Sequence, residues 1–251
     1  MGDGMLLVDI GNSRVKWGRA AKGRIEPGCS FSSSSEALGG HLNAAWRTLS
    51  KPRAVYAANV AGPEMGEALE AWVSGYWGCP VRFAASEAAA CGVANGYEQP
   101  ETLGVDRWMG LIGLRRHYGL PVCLADCGTA LTFDVVDAVG RHLGGLIVPG
   151  PALMRRALSR ETHGVRTAEG RGIPDFTGRS TALAVESGVF RACAGLIEKS
   201  MAEASALLGH EPALIVTGGD GKAIGSLLGI PYRLDPDLVL RGLLALADSE
   251  T

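Results

Sequence analysis

Apolar residues in this chain gather in short runs closed by Gly, Pro or polar clusters, and the longer segments between them carry a helical spacing. Residues 5–10, Met-Leu-Leu-Val-Asp-Ile, form one such run, broken only by Asp9, and predict a buried strand. Residues 15–20 predict the next strand across a Gly11-Asn12-Ser13 turn, with 21–24 as a hairpin loop. The serine-rich stretch 30–35 reads as a polar loop suited to cap a helix over 36–49. Residues 53–60 predict a strand, Pro63 opens a helix, and 81–85 predict a further strand. Strand, strand, helix, strand, helix is the order of an α/β layered domain.

The pattern then restarts. Residues 96–104 form a loop with polar–Pro punctuation, leading into a helix over 105–117 where Val105, Trp108, Met109 and Ile112 recur at helical spacing. Strands are predicted near 122–126, 130–137 and 143–148. Pro149-Gly150-Pro151 stops the third, and Pro151 begins a helix through about 159. Residues 163–179 carry Gly, Pro and Arg with little periodicity and read as a mobile loop. A long helix over 180–205, a strand over 213–217 closed by Gly218-Gly219-Asp220-Gly221, and a helix over 236–248 complete the chain.

Two of these strand–turn–strand units are built to one plan. Leu6-Leu7-Val8-Asp9-Ile10-Gly11-Asn12 and Cys123-Leu124-Ala125-Asp126-Cys127-Gly128-Thr129 each run an apolar strand into Asp, one residue, Gly and a small polar residue. Such an Asp reaches a metal ion, while the Gly lets backbone N–H groups approach a phosphate. A single Asp-x-Gly turn is usually only a turn. Two of them, each after an apolar strand, point to a duplicated α/β domain that clamps a nucleoside triphosphate between its halves. The 251 residues accommodate two halves, which we place at 1–118 and 119–251. The common nucleotide motifs are missing: Gly221-Lys222 is followed by Ala223, and no Gly-x-Gly-x-x-Gly follows a strand.

On the residues alone, Asp9 and Asp126 are candidates to hold magnesium on phosphate oxygens, directly or through water, one from each half. Lys16, on the outgoing strand, reads equally as a solvated lysine or as a γ-phosphate contact. Thr129 offers a hydroxyl and an N–H at the second turn. Asp106 opens the 105–117 helix. It is either a favourable first-turn acid with Arg107 on the wet face, or a carboxylate base beside an Arg that binds an anionic substrate. The glycines of 144–150 permit close backbone approach, 216–220 suits a nucleotide's sugar or base, and Thr181 is an N-cap candidate that can equally touch substrate. The five histidines show no ligand spacing.

Composition narrows the partners. Hydrophobic residues make up 47% and charged residues 20%, enough for a substantial core. A net charge of −2 without a basic run gives no support to nucleic-acid binding, and Arg115-Arg116 and Arg155-Arg156 read as solvated helix faces. The six cysteines contain no Cys-x-x-Cys pair and read as reduced thiols of a cytoplasmic protein. No basic leader opens the chain and no apolar run suffices to span a membrane, so neither signal peptide nor membrane partner is expected.

Six segments, in order along nearly the whole chain, resemble the type III pantothenate kinases of the acetate- and sugar-kinase and actin-like superfamily. They are Asp9-Ile10-Gly11-Asn12-Ser13-Arg14-Val15-Lys16, Tyr97-x-x-Pro100-x-x-Leu103-Gly104-Val105-Asp106-Arg107 and Asp126-Cys127-Gly128-Thr129-Ala130-Leu131-Thr132, followed by Gly144-Gly145-x-Ile147-x-Pro149-Gly150, Gly178-Arg179-Ser180-Thr181-x-x-Ala184 and Thr217-Gly218-Gly219-Asp220. The resemblance implies two duplicated ribonuclease-H-like, actin-like ATPase domains with a nucleotide cleft between them. It implies transfer of the ATP γ-phosphate to the primary hydroxyl of pantothenate, the first step of coenzyme A synthesis. Carried over residue by residue, it assigns the ATP phosphates to Asp9, Ile10, Gly11, Asn12, Ser13, Arg14, Val15 and Lys16, with a contact from Thr129. Pantothenate falls to Tyr97, Gly104, Val105, Asp106, Arg107 and Thr181, with Asp106 as base. Asp126 takes the place of the activating monovalent cation, potassium or ammonium, and Asp9 serves the Mg2+ that accompanies ATP, through water. A homodimer is implied as well. Ser13 stands where the family more often has Thr, and Ser180 where Asn or Asp is common.

Two other readings stay open. A regulatory protein on this scaffold that no longer phosphorylates is one; retention of Asp9, Lys16, Asp106 and Asp126 argues against it. A kinase for another small alcohol, such as a sugar, is the other. It would need Asp, Asn and Glu for several hydroxyls, where 96–107 offers chiefly Tyr97, Asp106 and Arg107.

Overall fold

The computed structural model describes residues 4–165 and 175–250, so residues 166–174 of the expected 163–179 loop lie outside the described residues. The chain divides into two compact units, Met1–His117 with Asp237–Thr251, and Tyr118–Pro236.

The first unit is built on one sheet. Its strands are β1 (Met5–Ile10), β2 (Arg14–Ala21), β3 (Arg24–Pro27), β4 (Phe31–Ser32), β5 (Val55–Asn59) and β6 (Val81–Phe83), in the order β3-β2-β1-β5-β6 with β4 on β2. β1 runs antiparallel to β2 and parallel to β5. Because strand side chains alternate, Leu6, Val8 and Ile10 share one face. There they pack with Leu42 and Trp46 of α1 (Ser35–Trp46) and Leu69, Val73 and Trp77 of α2 (Pro63–Trp77). Trp46 meets Trp17 edge-on at 5.8 Å and stacks on Trp77 at 5.8 Å, which fixes both helices over the sheet. Leu7 and Asp9 take the other face, where Gly18, opposite Leu7, approaches Leu240 of the C-terminal helix (Leu238–Ser249). A two-stranded hairpin of β7 (Ala89–Ala90) and β8 (Val93–Ala94) precedes α3 (Val105–His117).

The C-terminal helix corrects the expected partition, which placed it in the second half. It crosses α3 with the two backbones in contact. A Cβ on Gly113 would lie 2.5 Å from the Leu238 carbonyl oxygen, and one on Gly242 would overlap the Met109 carbonyl. Only glycine at both positions lets the helices approach so closely, and that packing returns the last helix to the first unit.

The second unit repeats the plan. β9 (Val122–Cys127), β10 (Ala130–Val136), β11 (His142–Pro149), β12 (Ala213–Thr217) and β13 (Arg233–Leu234) lie in the order β11-β10-β9-β12-β13. As before, the central strand is antiparallel to its sequence neighbour and parallel to the strand on its other side. Cys123, Ala125, Cys127, Leu131 and Phe133 face the core with Val189, Cys193 and Ile197 of α5 (Thr181–Leu208); α4 (Pro151–Glu161) and α6 (Gly221–Gly225) complete the unit. Ser180, whose Oγ accepts the Leu183 N–H at 3.3 Å, caps α5; Thr181 is therefore its first helical residue and not the cap.

Candidate active site

Three clusters carry the residues singled out from the sequence. The first is the β1–β2 turn. Ile10 pairs with Val15, and the Gly11 N–H donates to the Arg14 carbonyl at 3.0 Å, leaving Asn12, Ser13 and Arg14 exposed at the strand ends. The serine loop buttresses this turn, for the Ser33 N–H donates to the Ser13 carbonyl at 3.1 Å. A polar cavity of about 310 Å³, lined by Asn12, Ser33, Ser34, Ala61, Glu64 and Met65, lies beside it. Lys16 sits directly opposite Asp9 in the sheet register. Its ammonium lies 3.0 Å from an Asp237 carboxylate oxygen, so it is not simply a solvated lysine.

The second cluster is the β9–β10 turn, one residue shorter: Cys127 pairs with Leu131, and the Gly128 N–H donates to the Ala130 carbonyl at 3.0 Å. Two glycines from distant segments close on it. The Gly150 N–H donates to the Thr129 carbonyl at 3.0 Å, and a Cβ there would overlap the Gly128 carbonyl. Gly218, at φ +89°, would place a Cβ 2.5 Å from an Asp126 carboxylate oxygen, while the Asp220 N–H donates to the Cys127 carbonyl at 2.9 Å. Gly150, in the stretch read from the sequence as permitting close backbone approach, and Gly218, in the stretch read as suited to a nucleotide's sugar or base, both close on the β9–β10 turn. The thiols are inert here. Burial, and after it the Asp126 carboxylate, pushes Cys127 far up, and burial followed by Asp220 raises Cys193 to about 11.

The third cluster is the start of α3. The Gly104 carbonyl accepts the Trp108 N–H at 2.9 Å, and the Asp106 carboxylate accepts the Arg107 N–H at 2.8 Å. A Cβ on Gly104 would lie 2.7 Å from that carboxylate oxygen, which explains the glycine. Arg107 is 5% exposed, so the wet-face alternative is wrong. Its guanidinium donates to the Tyr97 hydroxyl at 2.7 Å and lies 5.5 Å from the centroid of that ring. Asn95, which the sequence reading passed over, holds the loop. Its side chain accepts the Tyr97 N–H at 3.0 Å and donates to the carbonyls of Glu87 and Pro100, each at 3.1 Å. The Asn95-Gly96 pair was the available signal, since Asn commonly bonds the backbone two residues on. Thr181 is exposed at the start of α5, in the second unit. Tyr97→Phe should remove a hydrogen bond to the buried Arg107 guanidinium, worth about 1.5 kcal/mol of stability. Denaturant unfolding of the variant beside the parent checks it.

Comparison with known proteins supplies the remaining findings. A family model described as type III pantothenate kinase matches residues 5–203. A type III pantothenate kinase of Nitrosococcus oceani is 36% identical over 248 residues, covering 97% of this chain and 93% of that one. One of Aromatoleum aromaticum is 40% identical, covering 97% of each. Among solved structures, a Campylobacter jejuni protein described as a Baf family transcriptional activator aligns with TM-score 0.63 at 21% identity, covering 98% of both chains. A ROK family glucokinase of Streptomyces griseus aligns with TM-score 0.52 at 16% identity, covering 98% of this chain and 99% of that one. These two likenesses concern the fold alone and accord with the two repeated α/β sheets.

Proposed function

The chain belongs to the type III pantothenate kinase family, and from that premise we propose how its three clusters share the reaction. The protein is an ATP-dependent kinase that transfers the γ-phosphate to the primary hydroxyl of pantothenate, the first step of coenzyme A biosynthesis. Residues 9–15 of the first turn, with Asn12, Ser13 and Arg14 exposed, bind the ATP phosphates, and Lys16 neutralises charge on the transferred group while Asp237 holds its ammonium. Thr129 adds a phosphate contact. Buried Arg107, kept in place by Tyr97, meets the pantothenate carboxylate. Asp106 orients the attacking hydroxyl and accepts its proton late, because in a loose phosphoryl-transfer transition state the alcohol need not ionise before attack. Val105 and Gly104 are assigned to pantothenate with them, and Thr181 is the remaining residue that the family likeness assigns to that substrate.

The residues fit two ions. Among the described residues no cluster of three or more His, Cys, Asp or Glu could cage a metal. Asp9 would hold, through water, the Mg2+ that accompanies ATP. The ion supplies charge neutralisation at the phosphate oxygens. At Asp126 a carboxylate stands beside the buried Thr132 hydroxyl, a hard-oxygen setting that suits potassium or ammonium. A cytoplasmic homodimer is the further reading that the family carries. Among the described residues no helix is long and apolar enough to cross a membrane.

The observation that carries this reading is the α3 start, where a carboxylate and a buried guanidinium are fixed on adjacent residues. The test is ADP release with pantothenate, ATP, magnesium and potassium, against pantothenate-free and potassium-free controls. Pantothenate-dependent ADP release that falls without potassium is expected. Folded protein that releases no pantothenate-dependent ADP would favour a regulatory role or another alcohol substrate.

A further inference from the structure

The two turns differ at one position, and the difference has a chemical meaning. In the first unit the residue across the sheet from the strand-terminal Asp is Lys16, and the residue on the other side is Ala58. In the second unit the corresponding row is Thr132, Asp126 and Thr217. Leu131, Phe133 and Val216 point into the core, so the three side chains of this row share the opposite face. One turn thus sets a lysine in register with its Asp, its ammonium on Asp237; the other sets a threonine in register on both sides of the Asp.

Thr132 and Thr217 are only 8% and 3% exposed. The Thr132 hydroxyl has no hydrogen-bond partner among the described residues. A buried hydroxyl left so destabilises the fold, and Val, which has the same shape, would relieve that cost. Retaining the oxygen in register with the Asp126 carboxylate sets two oxygen donors side by side at the strand ends. Oxygen donors of this kind suit a hard cation. We propose that the Thr132 hydroxyl is a ligand of the monovalent cation held by Asp126. The inference rests on the cation reading of Asp126 given above.

The test compares parent, Thr132→Val and Thr132→Ser, with two readouts: the rise in melting temperature on exchanging choline chloride for potassium chloride at equal ionic strength, and the potassium concentration for half-maximal ADP release. Even outer-shell groups typically change ion affinity about 10–100-fold, so Thr132→Val should raise the half-activating concentration about tenfold or more. It should also lose most of the potassium-specific stabilisation, and Thr132→Ser should keep both. Should the valine protein fail to fold, Thr132→Ala reads the same two quantities. A hydroxyl-free variant with parent-like potassium response overturns the Thr132 assignment and leaves Asp126 standing. A parent protein that is neither stabilised nor activated by potassium overturns the cation reading itself, and this inference with it.

Discussion

Asp106→Asn is expected to fold as the parent does and to lose about 10²–10⁴ in kcat, the contribution of a positioned general base. At 1.36 kcal/mol per decade that is about 3–5 kcal/mol of transition-state stabilisation. The fold survives because the Asn side-chain oxygen can still accept the Arg107 N–H, now at 2.8 Å, and Asn has the size of Asp beside Gly104. What disappears is the proton acceptor. The KM for pantothenate should move little, because Arg107 and Tyr97 are untouched. ADP-release kinetics with a melting curve on the same preparation would settle it: near-normal turnover from well-folded protein removes Asp106 as the base.

Gly218→Ala should be the most damaging single-methyl change to the second unit. Two costs add. A side chain at φ +89° costs about 1–2 kcal/mol in backbone strain. The new Cβ would also overlap the Cys127 carbonyl and lie 2.5 Å from an Asp126 carboxylate oxygen, an overpacking penalty of about 1–3 kcal/mol. Together about 2–5 kcal/mol would be lost from a total stability of about 5–15 kcal/mol, with Asp126 displaced and activity reduced. Gly144→Ala is the control, since its φ is +105° but a Cβ there meets nothing within 4 Å. Denaturant unfolding should show Gly144→Ala losing only the strain component. If the two substitutions cost the same, the close approach to Asp126 is energetically unimportant.

How much was legible in advance follows from how each feature is encoded. Apolar runs ending in Asp-x-Gly gave both strand–turn–strand units, because a buried strand and a tight turn are written in neighbouring residues. The 3.6-residue spacing of Val105, Trp108, Met109 and Ile112 gave α3 over the residues it occupies. The Thr181 cap was missed by one residue, since Ser180 and Thr181 offer the same hydroxyl and only backbone geometry chooses between them.

The chain by itself determined the longer elements, the repeated strand–turn–strand units and the residue types at each turn, all local patterns of polarity and turn chemistry; the short strands β3, β4, β7, β8 and β13 and the five-residue α6 were not read from it. Only the tertiary structure decided three things: that the last helix joins the first unit through Gly113 and Gly242, that Arg107 is buried against Tyr97, and that Asp126 lies in a row between Thr132 and Thr217. Each depends on residues brought together by packing and strand register. Pairings of that kind leave no periodic trace along the chain.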